Sequence, residues 1–527
     1  MNLVTLLAER ASQHPERPAL VDSRNGRDRV LTFGELSRRV SAGAHALQSM
    51  GLKRGQVILV FQPVSIELYE LILAAFHAGI RVMLADPSAG REFLTQCCQR
   101  LKPDAYFGSW KAQCLRIMVP EMRRIPITII VGRWFPGALT WRTDTEECPL
   151  TAVPDEEPAL ITFTSGSTGI PKAAVRSHGF LLAQHRTLSC ALAFEEGEVD
   201  LVTLPVFVLA NLASGLTSVL AATDLARPGT PDAAAIRSQC ERRGVTRCTA
   251  SPAFFEGLLR SQAGMPPFRK IFTGGAPVFP DLLRRLSSDQ PNALIHSVYG
   301  STEAEPISHF SADEVAATEA GTRRGGGLCS GEPVSEIQVK VIADRWGVPL
   351  GPMCSADFSS MAVPIGQVGE IVVTGEHVLG GYLDGVGDSE TKIHVDGNVW
   401  HRTGDAGWLD EKGRIWLLGR CAEKLPNFPA PAGLPAGALI YPFAVECALR
   451  EAFPEIRMAA IAWQGARTLV VGGICSHGET AEIQRKAEEL GIRNIIHIGR
   501  IPLDRRHNAK IDYPALRKIL ESGNRRN

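Results

Sequence analysis

The chain has 527 residues, 45% of them hydrophobic and 21% charged, with 56 basic side chains against 56 acidic ones. That length and composition provide for a large core in one very large domain or in two or more ordinary ones, and they exclude wholesale disorder. A formal net charge of zero gives no nucleic-acid footprint, so a small, weakly charged partner suits the chain as well as any.

The N-terminus, MNLVTLLAER, meets both acid and base by Glu9 and Arg10 and lacks the basic start and long apolar run of a signal peptide. Twelve cysteines are scattered with no C-x-x-C, and H-E-x-x-H is absent, so neither a disulfide framework nor zinc is indicated. A reducing, cytoplasmic setting is expected.

Taken in order, VILVFQP (Val57 to Pro63) and RVMLAD (Arg81 to Asp86) read as buried strands, with SIELYELILAAFHAG between them as a helix. ITIIVG (Ile127 to Gly132) is a further strand. Strands separated by helices predict a parallel α/β sheet. Leu201 to Ala222 carries no charge and has the length of a membrane span, but Pro205, Asn211, Ser214 and Gly215 interrupt it. A strand, a loop and a buried helix are expected there, and the uncharged wall suits an apolar substrate. VTRCTAS, the helix AFFEGLLRSQ and RKIFTGG continue the alternation.

Beyond Gly331 the character changes. VSEIQVKVIAD, GQVGEIVVTG and GRIWLLGR read as strands joined by Gly and Asp turns. NFPAPAGLPAG (Asn427 to Gly437) has the composition of a loop or linker. A helix at Ala444 to Phe453, strands, a helix at Glu479 to Leu490 and a last helix from about Asp512 follow. The expected fold class is α/β: a large domain of α/β layers with a β-rich subdomain over 1–419, and a small α+β domain over 420–527.

One stretch points to chemistry. In ITFTSGSTGIPK (Ile161 to Lys172) a strand runs into Thr164, Ser165, Gly166, Ser167, Thr168 and Gly169, with Lys172 just beyond. Glycines let backbone N–H groups approach an anion, hydroxyls add donors and lysine adds charge, which makes a phosphate cradle. The spacing is not that of a Walker A loop. By itself the stretch is equally a flexible Ser/Gly turn.

T-S-G-S-T-G-x-P-K after a strand resembles the phosphate loop of the adenylate-forming superfamily, which includes acyl-CoA synthetases, peptide-synthetase adenylation domains and luciferases. Further stretches fit in the family's order. TGGAPV, with Gly275, Ala276 and Pro277, resembles the adenine-side loop. VYGSTEAEP, with Tyr299, Gly300, Thr302 and Glu303, resembles Tyr-Gly-x-Thr-Glu. HRTGDAGWLDEKGRIWLLGR, with Asp405 and Arg420, resembles the Thr-Gly-Asp segment and its following Gly-Arg. Lys510, in IPLDRRHNAKID, stands where the family places a catalytic lysine. The resemblance implies ATP and Mg²⁺ as cofactors. In it Tyr299 stacks on adenine, Thr302 donates to the α-phosphate and Glu303 binds Mg²⁺. Asp405 accepts the ribose hydroxyls with Arg420 nearby, and Lys510 offsets charge as a carboxylate attacks phosphorus. The small domain would then be mobile. His178 and His401 are read as hydrogen-bonded structural residues.

The chain departs from the family after Arg420. Ala422 stands where an Asp or Lys hinge residue is common, Pro426 and Pro429 replace the usual Lys and Gly, and Glu446 arrives about ten residues late, an insertion of loop size. Proline fixes φ and removes an N–H, so this loop cannot serve a thioester-forming step in the usual way. Phe207 and Val208 occupy a place where many acyl-CoA synthetases carry histidine. Around Lys510 the usual Thr-x-x-Gly-Lys is Arg506-His507-Asn508-Ala509-Lys510. These features, with TKIHVDGNVWHRTGD and GRCAE, look most like the β-lactone synthetases of bacterial olefin biosynthesis. The implied reaction closes a 2-alkyl-3-hydroxy acid on its own activated carboxyl. A fatty acyl-CoA ligase, an acyl-AMP ligase feeding a carrier protein, and a non-catalytic nucleotide-binding relative are the other readings. The expected partners are a fatty-type acid and enzymes of the same pathway.

Overall fold

The computed structural model describes residues 2–24, 26–164, 170–425, 437–503 and 510–523. The chain divides into two compact units: 1–222, 239–247 and 376–388 form one, and 223–238, 248–375 and 389–527 the other. The expected boundary near Arg420 falls inside the second of these.

In the first unit β1 (Pro18–Arg24) and β2 (Arg27–Thr32) precede the alternating strands β3 (Val57–Phe61), β4 (Arg81–Leu84), β5 (Ala105–Gly108), β6 (Ile127–Ile130) and β7 (Leu139–Thr140). β8 (Pro158–Thr164), β9 (Lys172–Ser177), β10 (Val199–Val202) and β11 (Thr217–Leu220) follow. β3 to β9 make a seven-stranded sheet in the order β7-β6-β5-β3-β4-β8-β9. Its neighbours run parallel except the hairpin β8–β9. The fully buried β3 and β5 are the short unbroken apolar runs a doubly covered parallel sheet requires. Leu59, Phe61, Met83, Tyr106, Ile161 and Phe163 share one core cluster of this sheet.

The uncharged stretch contains the expected strand, β10, and buried helix, Val206–Ala213 with Phe207 and Val208, and adds a second strand, β11, because the run after Gly215 joins the sheet. Asn211 donates to Ser218 Oγ (3.2 Å) and to Asp200 Oδ2 (2.9 Å), and the other oxygen of the buried Asp200 carboxylate faces Arg247 Nε at 3.8 Å. No helix among the described residues is long and apolar enough to cross a membrane.

The second unit holds β12 (Arg247–Ala250), β13 (Lys270–Gly274), β14 (Leu294–Ser301), β15 (Ala304–Ser311), β16 (Leu328–Pro333) and β17 (Gln338–Ile342). After them come β18 (Gly369–Thr374), β19 (Lys392–Val395), β20 (Asn398–Leu409), β21 (Ile415–Arg420), β22 (Met458–Trp463), β23 (Ala466–Gly472) and β24 (Asn494–Ile498). The order β17-β18-β20-β21-β16-β15-β14-β13-β12 brings the ends of β13, β14, β20 and β21 into one sheet.

The last three strands form a separate sheet, β22-β23-β24. Alternation along β22 sends Met458 and Ala460 into one core with Leu449, Ile483 and Leu490, and Ala459 and Ile461 into another with Leu516 and Leu520. The period of two thus buries both faces of a thin α+β layer.

Candidate active site

The sheet of the second unit builds a three-residue constellation. Asp405 of β20 and Arg420 of β21 are direct partners across an antiparallel pair, and Arg420 Nη1 lies 3.2 Å from Asp405 Oδ1. The other carboxylate oxygen accepts from the Tyr299 hydroxyl at 2.7 Å. Arg420 also donates to the carbonyl of Thr403 (3.0 Å), whose own hydroxyl accepts from the Asp405 N–H (3.0 Å). Burial and the Asp405 charge hold the Tyr299 hydroxyl well above its ordinary pKa, so it remains a donor. Asp405 in turn favours the charged form of Arg420.

Tyr299 reaches this place because β14 runs parallel to β13 and antiparallel to β15. The β14–β15 hairpin turns at Thr302 and Glu303, with Ser301 opposite Ala304 and the Glu303 N–H donating to Ser301 Oγ (3.2 Å). Glu303 is close enough to act on both His401 and Arg420, favouring the charged form of each. Gly275 follows β13 directly, at φ +78° with open space where a Cβ would stand. Gly404 approaches the Trp346 ring so closely that a Cβ would come within 2.9 Å, so the residue before Asp405 must be glycine.

β20 is anchored beneath. Arg402 and Glu370 are both buried and pair in bidentate fashion at 2.9 and 2.7 Å, with Trp346 stacked 5.4 Å from the guanidinium. His401 is buried, its Nδ1 3.2 Å from both the Lys392 ammonium and the Thr391 carbonyl. Burial first, then the Lys392 charge, drives the imidazole toward its neutral form. His178 is buried in the first unit, edge-on to Phe76, and burial pushes it down to about 4.

Lys172 belongs to the first unit. It opens β9 opposite Thr164 of β8 and is buried. Ser165, Gly166, Ser167, Thr168 and Gly169 lie outside the described residues. The segment Tyr382 to Asp388, which the sequence reading missed, houses this lysine. Tyr382 bridges to Ala174 and sets its ring 5.8 Å from Lys172 Nζ. A Cβ on Gly387 would meet Lys172 Cδ and Cε at 2.7 Å. The Gly and Asp content of YLDGVGD signals a turn, but nothing local ties it to a lysine 210 positions earlier.

Pro426, Pro429 and Arg506 to Ala509 also lie outside the described residues. The ends of the departing loop are described: Lys424 Nζ (2.5 Å) and the Tyr441 hydroxyl (2.6 Å) both reach Asp344 Oδ2, and the Leu425 N–H donates to the Ile440 carbonyl. Glu446 is buried, accepting from Tyr513 Oη (2.7 Å) and the Ala460 N–H (2.9 Å). Lys510 is exposed, next to the bridge between Leu503 and Ile511.

Comparison with known proteins agrees with this architecture. The AMP-binding enzyme family model matches residues 7–383. An olefin beta-lactone synthetase of Stenotrophomonas maltophilia is 30% identical over 97% of this chain and 96% of its own length. A second, from Xanthomonas campestris, is 31% identical over 92% and 90%. Among solved structures, an amide bond synthetase of Marinactinospora thermotolerans superposes with a TM-score of 0.77 at 19% identity, covering 98% of this chain and 99% of that one.

Proposed function

We propose a reaction from one premise: the chain belongs to the AMP-binding enzyme family and is an AMP-forming ligase of the adenylate-forming superfamily that activates an apolar acid. The acid is a 2-alkyl-3-hydroxy acid of fatty type, and the product is a β-lactone. In the first step a carboxylate oxygen attacks the α-phosphorus of ATP, the bond to pyrophosphate breaks and an acyl adenylate forms. In the second the β-hydroxyl of the same molecule attacks the acyl carbon, loses its proton, and AMP departs with the oxygen it received.

The Tyr299–Asp405–Arg420 constellation carries the adenylation half of this reading. A carboxylate fixed between a phenol and a guanidinium is preorganised to accept the vicinal hydroxyls of a ribose, and the Tyr299 ring offers a face for the base. Glu303 at the hairpin tip has the hard oxygen chemistry Mg²⁺ takes, one or two carboxylates beside phosphate oxygens. Bound there, Mg²⁺ would neutralise phosphate charge. Thr302 donates toward the α-phosphate. Thr164, Lys172 and residues 165–169 hold the terminal phosphates. Lys510 stabilises the charge that develops as the carboxylate attacks.

Similarity to two olefin β-lactone synthetases over nearly the whole chain supports the intramolecular second step. A tethered hydroxyl has a high effective molarity, which helps offset the strain of a four-membered ring. Such a step needs no path for an external thiol. The test is a product assay with ATP, Mg²⁺ and a long-chain 2-alkyl-3-hydroxy acid, with and without CoA. Lactone, AMP and pyrophosphate without CoA are expected; strict dependence on CoA, or transfer to a carrier thiol, would overturn the lactone reading.

A further inference from the structure

The helix Trp110–Met118 turns an apolar stripe away from its own core. Its inner face is settled: Ala112 and Gln113 are buried, Gln113 Nε2 donates to the Ile129 carbonyl (3.1 Å), and the Tyr106 hydroxyl donates to the Ala112 carbonyl (2.6 Å). Gly108 permits this close seat, since a Cβ there would meet Ala112 Cβ at 2.7 Å. The side turned away from Ala112 carries Trp110, Cys114, Ile117 and Met118, at spacings of four, three and one, and all four are exposed.

More exposed apolar side chains follow the neighbouring strand end. β5 and β6 run parallel with Gly108 beside Ile130, so Trp110 and the loop after Ile130 leave the same edge of the sheet. That loop presents Trp134, 74% exposed, and leads to Leu139 at the start of β7. Residues 110–139 supply five of the thirteen large hydrophobic side chains exposed among the described residues, including both tryptophans. Singly exposed apolar residues are ordinary; a concentration of this kind marks an interaction surface.

Charge selects the partner. Over 110–139 the chain has Lys111, Arg116, Arg123, Arg124 and Arg133 against Glu121 alone, a net charge of +4 in a protein whose total is zero. Lys111, Arg123, Arg124 and Arg133 are exposed, and the exposed Arg91 reaches Met118 Sδ at 3.4 Å. Trp110 beside the exposed Lys111, Trp134 beside the exposed Arg133 and Met118 against Arg91 match the boundary of an anionic bilayer, where indole lies at the headgroup level and the cations meet lipid phosphate.

We infer that this face, the outer side of helix Trp110–Met118 with Trp134 and the neighbouring Lys111, Arg91 and Arg133, docks the protein reversibly onto anionic membrane surface. The inference stands apart from the reaction proposed above, because it is read without substrate. Full-length protein, without ATP or acid, is sedimented with vesicles of phosphatidylcholine alone or mixed with phosphatidylglycerol. Binding to the anionic vesicles is expected to be tighter by about tenfold or more and to weaken with salt. The paired substitutions Trp110→Ser with Trp134→Ser, and separately Lys111→Glu with Arg133→Glu, should each lower it by about tenfold while the thermal melt stays unchanged. Wild-type protein that ignores anionic vesicles overturns the inference, as does binding that neither pair alters. A change in oligomeric state on substitution, without vesicle binding, would assign the face to a protein contact and equally overturn it.

Discussion

Asp405→Asn is the perturbation that most sharply probes the nucleotide reading. The substitution keeps the shape and one acceptor oxygen of the side chain and removes the charge that faces Tyr299 and Arg420. Little stability is at stake, because the Arg420 side chain is 56% exposed and such a pair contributes about 0–1 kcal/mol. Ligand affinity has more to lose: hydrogen bonds to a charged group contribute about 1.5–3 kcal/mol each, so one forfeited ribose bond weakens ATP roughly 10- to 150-fold. Calorimetric titration with ATP, 2′-deoxy-ATP and 3′-deoxy-ATP separates this from a general disturbance. The wild type should discriminate against a deoxy nucleotide by a similar factor, and the variant should lose most of that discrimination. A variant that binds ATP within threefold of wild type and rejects the deoxy nucleotides as before would refute the ribose role of Asp405.

Three further outcomes follow from named contacts. Gly387→Ala adds a Cβ within 2.9 Å of three Lys172 atoms at a backbone φ of +100°, and should slow acid-dependent pyrophosphate exchange by about tenfold or more; unchanged exchange would separate Lys172 from the reaction. Burial raises the Glu446 carboxyl from 4.5 to about 7, so its stabilising contribution is fully present below 4.5 and is lost as pH rises through 7. The difference amounts to about 3 kcal/mol, and thermal melts of Glu446→Gln against wild type should therefore diverge in favour of the variant up to pH 7 and stay apart above it. Lys510→Ala should abolish adenylation while ATP still binds; wild-type turnover by that variant would remove the lysine from its proposed role.

The sequence carries the fold further than it carries the site's connections. Runs such as VILVF, and VML after Arg81, are apolar because both sheet faces are covered, and the 201–222 stretch declares its breaks through Pro205 and Gly215. Tyr299, Asp405 and Arg420 are each legible as motif residues. The Asp405–Arg420 pair follows from the β20–β21 hairpin, but its contact with Tyr299 does not, because it depends on β21 pairing with the sequence-distant β16, which leads through β15 to β14. Asp344 gives no local hint that it ties Lys424 to Tyr441, since a carboxylate between a strand and a turn reads as a solvated charge. Lys392 is similarly silent: a lysine at a strand start is ordinarily exposed, and only the paired β20 covers it and sets it against His401.

The central claim, a carboxylate activated as an adenylate and displaced by its own hydroxyl, is tested most directly by isotope tracing. A 2-alkyl-3-hydroxy acid labelled with ¹⁸O in both carboxyl oxygens is turned over with ATP and Mg²⁺ in the absence of any thiol. The AMP should carry one ¹⁸O, and the lactone should keep one in its carbonyl, with an unlabelled ring oxygen from the hydroxyl. Unlabelled AMP, or lactone with both labels, would contradict the account.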